Sequence, residues 1–286
     1  MKPNPELRSP VRRALLFALA ACAAVSGWAQ ADRFGQPTDR AAPGKANQQE
    51  GARILSEFRQ AGIAGDYWLS FTLRVMPRKG SERTVTGTLC GSRMERGPVA
   101  RVEIGRERWL IESGPSGGAW KWDAGGLAAL APAEVGQTLA GTGVTVFDLQ
   151  MPFLHWKDFT YEGEARVRGR ASHSFILRPP ADAPRPTPEM TGVRVLIDTQ
   201  FQAMVQAELL GSGQVVEKTI SLLDLKKVGE QWILKSIDVR NARTRDKTRF
   251  TVTAAALDLQ WPDGTFAAEN LSRENPPVST DRIVSF

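Results

Sequence analysis

Cysteine, histidine and tyrosine are scarce, with two of each in 286 residues. Only Cys90 lies beyond residue 31, so an intrachain disulfide framework is excluded for everything after that point. His155 and His173 cannot by themselves supply the roughly three or four ligands of a zinc site. Beyond residue 31 no apolar run approaches the length of about 18 residues that a membrane-spanning helix requires. Excess charge of one sign is also lacking. The formal net charge is +6, but residues 1–31 carry Lys2, Arg8, Arg12 and Arg13 against Glu6 alone, and the remainder holds 33 basic and 30 acidic residues, a net of +3. Such a balance gives no strong reason to seek phosphate backbones, and no nucleic-acid partner is expected. The chain does have 42% apolar and 24% charged residues, with 26 Gly and 18 Pro. That is a globular composition, long enough for one large domain or two small ones.

The four early cations precede an apolar run from Ala14 to Val25, which is shorter than the ~20 residues needed to cross a bilayer. Ser26-Gly27-Trp28 and then Ala29-Gln30-Ala31 follow, the last an A-x-A cleavage site. Residues 1–31 therefore read as a secretory signal peptide with a mature start near Asp32. A competing parse takes Leu19-Ala20-Ala21-Cys22 as a lipobox, which would make Cys22 a lipidated first residue and a membrane anchor. Arg12-Arg13 is a weaker match to a twin-arginine signal. All three parses export the chain.

Residues 32–46 are small and polar and read as a flexible lead-in. Ile54, Leu55, Phe58 and Ala61 recur at helical spacing between Asn47 and Ile63, predicting an amphipathic helix closed by Gly62 and Gly65. The period then changes to two: Tyr67, Leu69, Phe71, Leu73 and Val75 alternate with mostly polar residues, a strand with one apolar face. Strand-like runs follow near 83–90, 98–104, 107–113 and 118–123, and spacing with short turns predicts an antiparallel meander. The alternation breaks at 125–157. Leu127, Leu130, Val135 and Leu139 recur at near-helical intervals, with Pro132 suited to a first turn, and predict a helical insertion. Strands resume at 159–178. A stiff proline-rich loop spans 179–190, and further strand runs occupy 192–198, 202–210, 214–224, 230–240 and 247–259. The segment from Trp261 reads as irregular. About ten strands are expected in a single domain over 47–286.

No catalytic constellation emerges, and no enzyme, cofactor or metal is expected. Gly114-Pro115-Ser116-Gly117-Gly118 matches G-x-S-x-G, but a nucleophile elbow needs a helix after the serine, and Gly117 to Trp122 reads as a strand. A glycine-rich hairpin turn explains the same letters. His155 and Asp158 are two side chains without further ligands nearby. Cys90 reads as a small buried apolar residue. Arg166, Arg168 and Arg170 alternate and read as a solvated outer face. Gly44-Lys45 lacks the rest of a phosphate-binding loop.

What remains is a surplus of apolar and aromatic residues on one sheet face. Tyr67, Leu69, Phe71, Leu73 and Val75 begin it, and Trp109, Trp120, Trp122, Phe153, Trp156 and Trp232 lie on other strands or in the insertion. An ordinary core accounts for most of these singly. A curved sheet whose concave face is left unfilled would instead hold an apolar ligand. Each buried methylene contributes ~0.8 kcal/mol, so a chain of about 16 carbons gains on the order of 10 kcal/mol before the entropic cost of binding.

The stretch from Phe147 to Asp258 resembles the outer-membrane lipoprotein-sorting (LolA-like) family. The residues that carry the likeness are Phe147-Asp148, Phe153, Trp156, Asp158-Phe159, Tyr161-Glu162-Gly163, Arg168-Gly169-Arg170 and Pro179-Pro180. Val193-Arg194-Val195-Leu196-Ile197-Asp198, Ala207-Glu208, Gly229, Trp232 and Arg240 follow in order. The resemblance implies an unclosed antiparallel β-barrel with a helical lid across its mouth and a cavity for lipid chains. It further implies a periplasmic carrier of lipoprotein or lipid acyl chains. Ligand contacts are then expected from Tyr67, Leu69, Phe71, Leu73, Val75, Trp109, Phe153, Trp156 and Trp232. The alternative is an envelope sensor or scaffold, lipid-anchored if Cys22 is the first residue, that uses the same fold to bind a protein partner, envelope membrane proteins being candidates.

Overall fold

The structure, a computed structural model, describes residues 39–40, 46–60, 62–95, 97–114 and 117–286. The signal-peptide and lipobox readings, nearly all of the 32–46 lead-in, and Ser116 lie outside the described residues. No helix among the described residues is long and apolar enough to cross a membrane.

Helix α1 (Gln48–Gln60) begins where Asn47 Oδ1 accepts from the backbone N–H groups of Gln49 and Glu50, at 3.0 and 3.4 Å. Its buried side carries Ile54 and Leu55, while Arg53 faces outward between Glu50 and Glu57. Two antiparallel meanders follow. The first runs β2 (Asp66–Met76), β3 (Arg83–Met94), β4 (Gly97–Ile104), β5 (Glu107–Glu112), β6 (Ala119–Asp123) and β7 (Gly126–Ala129). The second runs β8 (Asp158–Val167), β9 (Arg170–Arg178), β10 (Gly192–Asp198), β11 (Met204–Leu210), β12 (Val216–Val228), β13 (Gln231–Asn241) and β14 (Lys247–Leu259). Strand β1 (Asp39–Arg40) joins the free side of β8, and β15 (Val284–Ser285) pairs with β14.

One pairing joins the meanders into a single sheet: β14 lies antiparallel to β2, with Phe250 opposite Leu73 and Val252 opposite Phe71. The order is β1-β8-β9-β10-β11-β12-β13-β14-β2-β3-β4-β5-β6-β7, and β7 does not pair with β1 or β8. The sheet is therefore open. It is also curled, because Val102 and Trp109 near one edge share a buried cluster with Phe175 and Val195 near the other. This is the unclosed, mainly β architecture expected from the sequence.

Alternation sets which residues enter the hollow. Phe71, Leu73, Val102, Ile104, Trp109 and Ile111 point inward from the first meander, and Phe175, Leu177, Val193, Val195, Ala207 and Val239 from the second. On β3, Gly87 and Gly91 stand opposite Phe71 and Tyr67. A Cβ at Gly87 would lie 2.5 Å from the Phe71 ring, and one at Gly91 would lie 2.1 Å from that of Tyr67. Each ring thus lies across a glycine, the only residue that leaves room for it.

The insertion differs from the helix read in the sequence. Gly126–Ala129 is strand β7, paired with β6. Short 3-10 turns at Pro132–Glu134, Leu139–Gly141 and Pro152–His155 surround one brief helix, α2 (Val146–Gln150). Glycines and prolines punctuate the segment too often for a longer helix to propagate. Thr145 and Asp148 cap α2 reciprocally, Asp148 Oδ2 accepting from the Thr145 N–H at 2.7 Å. Nor do the three arginines share a strand. Arg166 lies one residue before the end of β8, Arg168 forms the turn with φ 51°, and Arg170 opens β9.

Beyond β14 the chain has little regular structure, yet it covers the outer face of β4–β6. Leu271 is fully buried against Val99 and Leu110, beside Trp120 and Trp122. Arg101 donates to the carbonyls of Thr265 and Arg273, and Arg108 to that of Ser272 at 2.7 Å.

Candidate functional site

The inner wall and what lies on it form the largest apolar assembly among the described residues. Of the nine residues expected to line it, Phe71, Leu73, Trp109, Phe153 and Trp156 are buried inside, Leu69 is buried in an adjoining cluster with Ile233 and Val252, and Tyr67 and Val75 are half-buried on the same face of β2. Trp232 is not among them. It alternates to the outer face, 56% exposed, its ring 6.4 Å from that of Phe201. The parity of β6 likewise turns Trp120 and Trp122 outward, opposite Leu110 and Arg108. Arg108 stacks over the Trp122 ring at 4.6 Å.

The hollow is occupied by the chain's own side chains. Phe147, Phe153 and Trp156 from the insertion meet each other at 5.8–6.4 Å between ring centroids and cover Trp109 and Ile111. Tyr161 and Phe175 stack at 4.9 Å beneath α1. A cleft of about 130 Å³ between α1 and the β9–β10 strands is lined by Ile54, Phe58, His173, Ile197 and Gln202. That falls below the ~300 Å³ at which ligand pockets begin. The hollow expected from the resemblance is closed here by two covers, α1 and the insertion.

Polar contacts hold these covers at their rims. Gln48 Nε2 donates to the Tyr161 carbonyl and its Oε1 accepts from the Tyr161 N–H, both at 2.9 Å. Gly51 lets the helix approach, since a Cβ there would lie 2.5 Å from Tyr161 Cβ. Arg59 donates to the carbonyls of Leu154 and Trp156, tying one cover to the other. Gln150 reaches the carbonyls of Glu112 and Gly117 at 3.1 and 2.9 Å, and Asp148 pairs with Lys218. Between these rims the contacts are apolar. No periodicity marks Gln48, Gln150 or Arg59 as cover-holding residues, because their partners are backbone carbonyls distant in sequence.

The groups that could have carried chemistry are placed otherwise. Cys90 is fully buried, and burial pushes its thiol up to about 12, far from a reactive thiolate. Asp158 pairs with Arg178 at 3.4 Å rather than with His155. Burial holds both histidines below the ordinary imidazole range, with Arg59 and Arg93 adding to this at His155. His173 Nδ1 lies 2.8 Å from the Tyr161 hydroxyl, and Tyr161 is raised, first by burial. Among the described residues no group of three His, Cys, Asp or Glu side chains converges to hold a metal.

No curated protein matches the sequence. Several solved structures share the fold. A DUF1329 family protein from Desulfovibrio piger superposes with a TM-score of 0.70 at 12% identity, covering 78% of this chain and 98% of the other. An outer membrane lipoprotein-sorting protein domain from Vibrio parahaemolyticus gives 0.70 at 14% identity, over 79% and 100%. A LolA superfamily protein from Nitrosomonas europaea gives 0.59 at 14% identity, over 77% and 98%. At these identities the likeness establishes the fold alone. A family model described as "-like: Uncharacterized protein" matches residues 126–273, just over half of the chain. The chain therefore belongs to that family of uncharacterized proteins and has the LolA-like fold.

Proposed function

We propose that the protein is an exported, non-enzymatic carrier that binds acyl chains of lipids or lipoproteins against its inner wall in the periplasm. The observation that supports this best is the nature of what covers the wall. A sandwich would close its apolar face with a second sheet. Here two short covers do so, apolar at the centre and tied down by polar contacts at their rims. Such an assembly resembles an interface more than a core, and displacing it would expose Phe71, Leu73, Trp109 and Phe175 together. The described form is then the closed one, and cargo would take the place of Phe147, Phe153 and Trp156. The 1–31 signal reading supplies the compartment, and the lipoprotein-sorting name of the Vibrio structure gives the cargo class by analogy of fold.

The test is transfer of a synthetic triacylated lipopeptide from vesicles to the purified full chain, compared with Gly51→Leu, whose added side chain should prop α1 off Tyr161. The variant should take up several-fold more lipopeptide while keeping its β-sheet circular dichroism and losing roughly 1–3 kcal/mol of stability. Failure of both forms to extract lipopeptide would sink the carrier reading. The filled interior favours a second reading, an envelope scaffold that docks a protein partner. It would be supported if closed and propped forms captured the same membrane protein equally well and neither took up lipid.

A further inference from the structure

The sheet is not continuous along the seam between β13 and β14. Their ladder covers only Ser236–Arg240 against Lys247–Thr251, although β13 begins at Gln231 and β14 runs on to Leu259. Three irregularities meet where the pairing stops. Leu223 has no partner in the β12 ladder between Leu222 and Asp224, Lys235 has none between Leu234 and Ser236, and Thr253 interrupts the pairing of β14 with β2. Bulges increase local twist, and here they swing the tip of the β12–β13 hairpin away from β14.

The vacated edge of β14 is filled by the last residues of the sequence. Ser285 stands opposite Ala254 and Val284 opposite Ala255, and the Phe286 N–H donates to the Thr253 carbonyl at 3.0 Å. Arg282 adds two bonds of 3.0 Å to the carbonyls of Leu257 and Asp258. The Phe286 ring packs into the opening on an apolar cluster of Leu69, Val228, Ile233, Val252, Ala255 and Leu257. Leu89 and Phe250 touch both this cluster and the main core, so the opening leads onto the inner wall. Two cations stand over the ring, Lys235 Nζ at 4.1 Å and Lys226 Nζ at 5.5 Å from its centroid. Neither makes an ion pair among the described residues. Burial holds Lys235 below the ordinary lysine range, its neighbour Lys226 lowers it further, and Asp224 offsets this in part.

We propose that the β13–β14 seam is a lateral port for a single-chain anionic amphiphile, which Phe286 plugs when the port is empty. Two like charges beside an apolar opening are offset only in part by Asp224, and a carboxylate or phosphate headgroup would complete the balance. The tail behind that headgroup would replace the phenyl ring on Leu69, Ile233 and Val252. This proposal rests on the carrier reading and gives it an entrance and a headgroup preference. The insertion touches the seam at its zipped end, where the Gly143 N–H donates to Thr248 Oγ1 at 2.9 Å, so a chain entering at the open end need not lift either cover first.

The test measures binding of palmitate and of its neutral glycerol monoester to the intact chain, to Phe286→Ala, to a chain ended after Ser279, and to Lys226→Ser/Lys235→Ser. Unplugging should tighten palmitate binding at least about fivefold, because the intact chain must first populate the open seam. The monoester should gain less, and the double lysine variant should bind the two lipids alike. Palmitate should also slow amide exchange at residues 252–257 of the unplugged chains. If both lipids bind every variant with unchanged affinity, the port is wrong and the carrier stands. If no variant binds either lipid, both fall. Phe286→Ala keeps the test decisive should the shortened chain fail to fold.

Discussion

The two seams that flank β14 behave in opposite ways. On one side β14 pairs with β2, some of the most distant partners in sequence, and the ladder runs nearly the full length of both strands. On the other it pairs with β13, its neighbour across a short turn, and the ladder ends after Ser236–Arg240. Nearness in the chain makes a hairpin easy to form, but does not decide how far it zips. Burial decides that. The β14–β2 seam carries Phe71, Leu73, Phe250 and Val252 on the inner face, with the Phe71 and Phe250 rings 4.8 Å apart. The β13–β14 ladder stops at Ser236, beside the unpaired Lys235, and bulges there release the strands.

That contrast can be broken from either side. The largest effect is expected from Phe71→Ala, which removes a ring shared by β2, β3 and β14 and should cost about 3–5 kcal/mol in urea unfolding. Next is Gly87→Val, which pushes a side chain into the space of the Phe71 ring and should cost roughly 1–3 kcal/mol without altering amide exchange at residues 253–255. Acidification should act on the covers rather than on either seam. His155 and His173 have folded-state pKa values below their unfolded ones, so between those values the unfolded chain binds more protons. Stability is therefore complete above the unfolded imidazole range and is lost as pH falls through it. His173→Gln should flatten part of that slope in urea midpoints measured from pH 7.5 to 5. The smallest stability change is expected for Phe286→Ala, under about 1.5 kcal/mol, since its ring is only half-buried. Its mark should be faster amide exchange confined to the free edge of β14.

How far the sequence discloses this arrangement depends on where each signal resides. The alternation from Tyr67 to Val75 identifies β2 and its inner face directly, because period two is a property of one strand. The open curled sheet follows from the order of strand-like runs and from the family resemblance. The insertion misleads, since Leu127, Leu130, Val135 and Leu139 imitate a helix while the intervening glycines and prolines divide it into a strand and single turns. Trp120, Trp122 and Trp232 join the inner wall if tryptophans are merely counted, but the parity of β6 and β13 sends them outward. Parity depends on register, and register is set by partners elsewhere in the chain. The split seam is the least legible feature, for no local pattern announces bulges at Leu223 and Lys235.

The wrapping of the segment after β14 across β4–β6 carries an evolutionary consequence. Arg101, only 2% exposed, and Arg108 grip that segment through the carbonyls of Thr265, Ser272 and Arg273, groups that every residue type possesses. Substitutions along the strap therefore leave its grip intact so long as Leu271 keeps its seat, whereas losing either arginine would release the whole strip. Drift should be free on one partner of this contact and forbidden on the other.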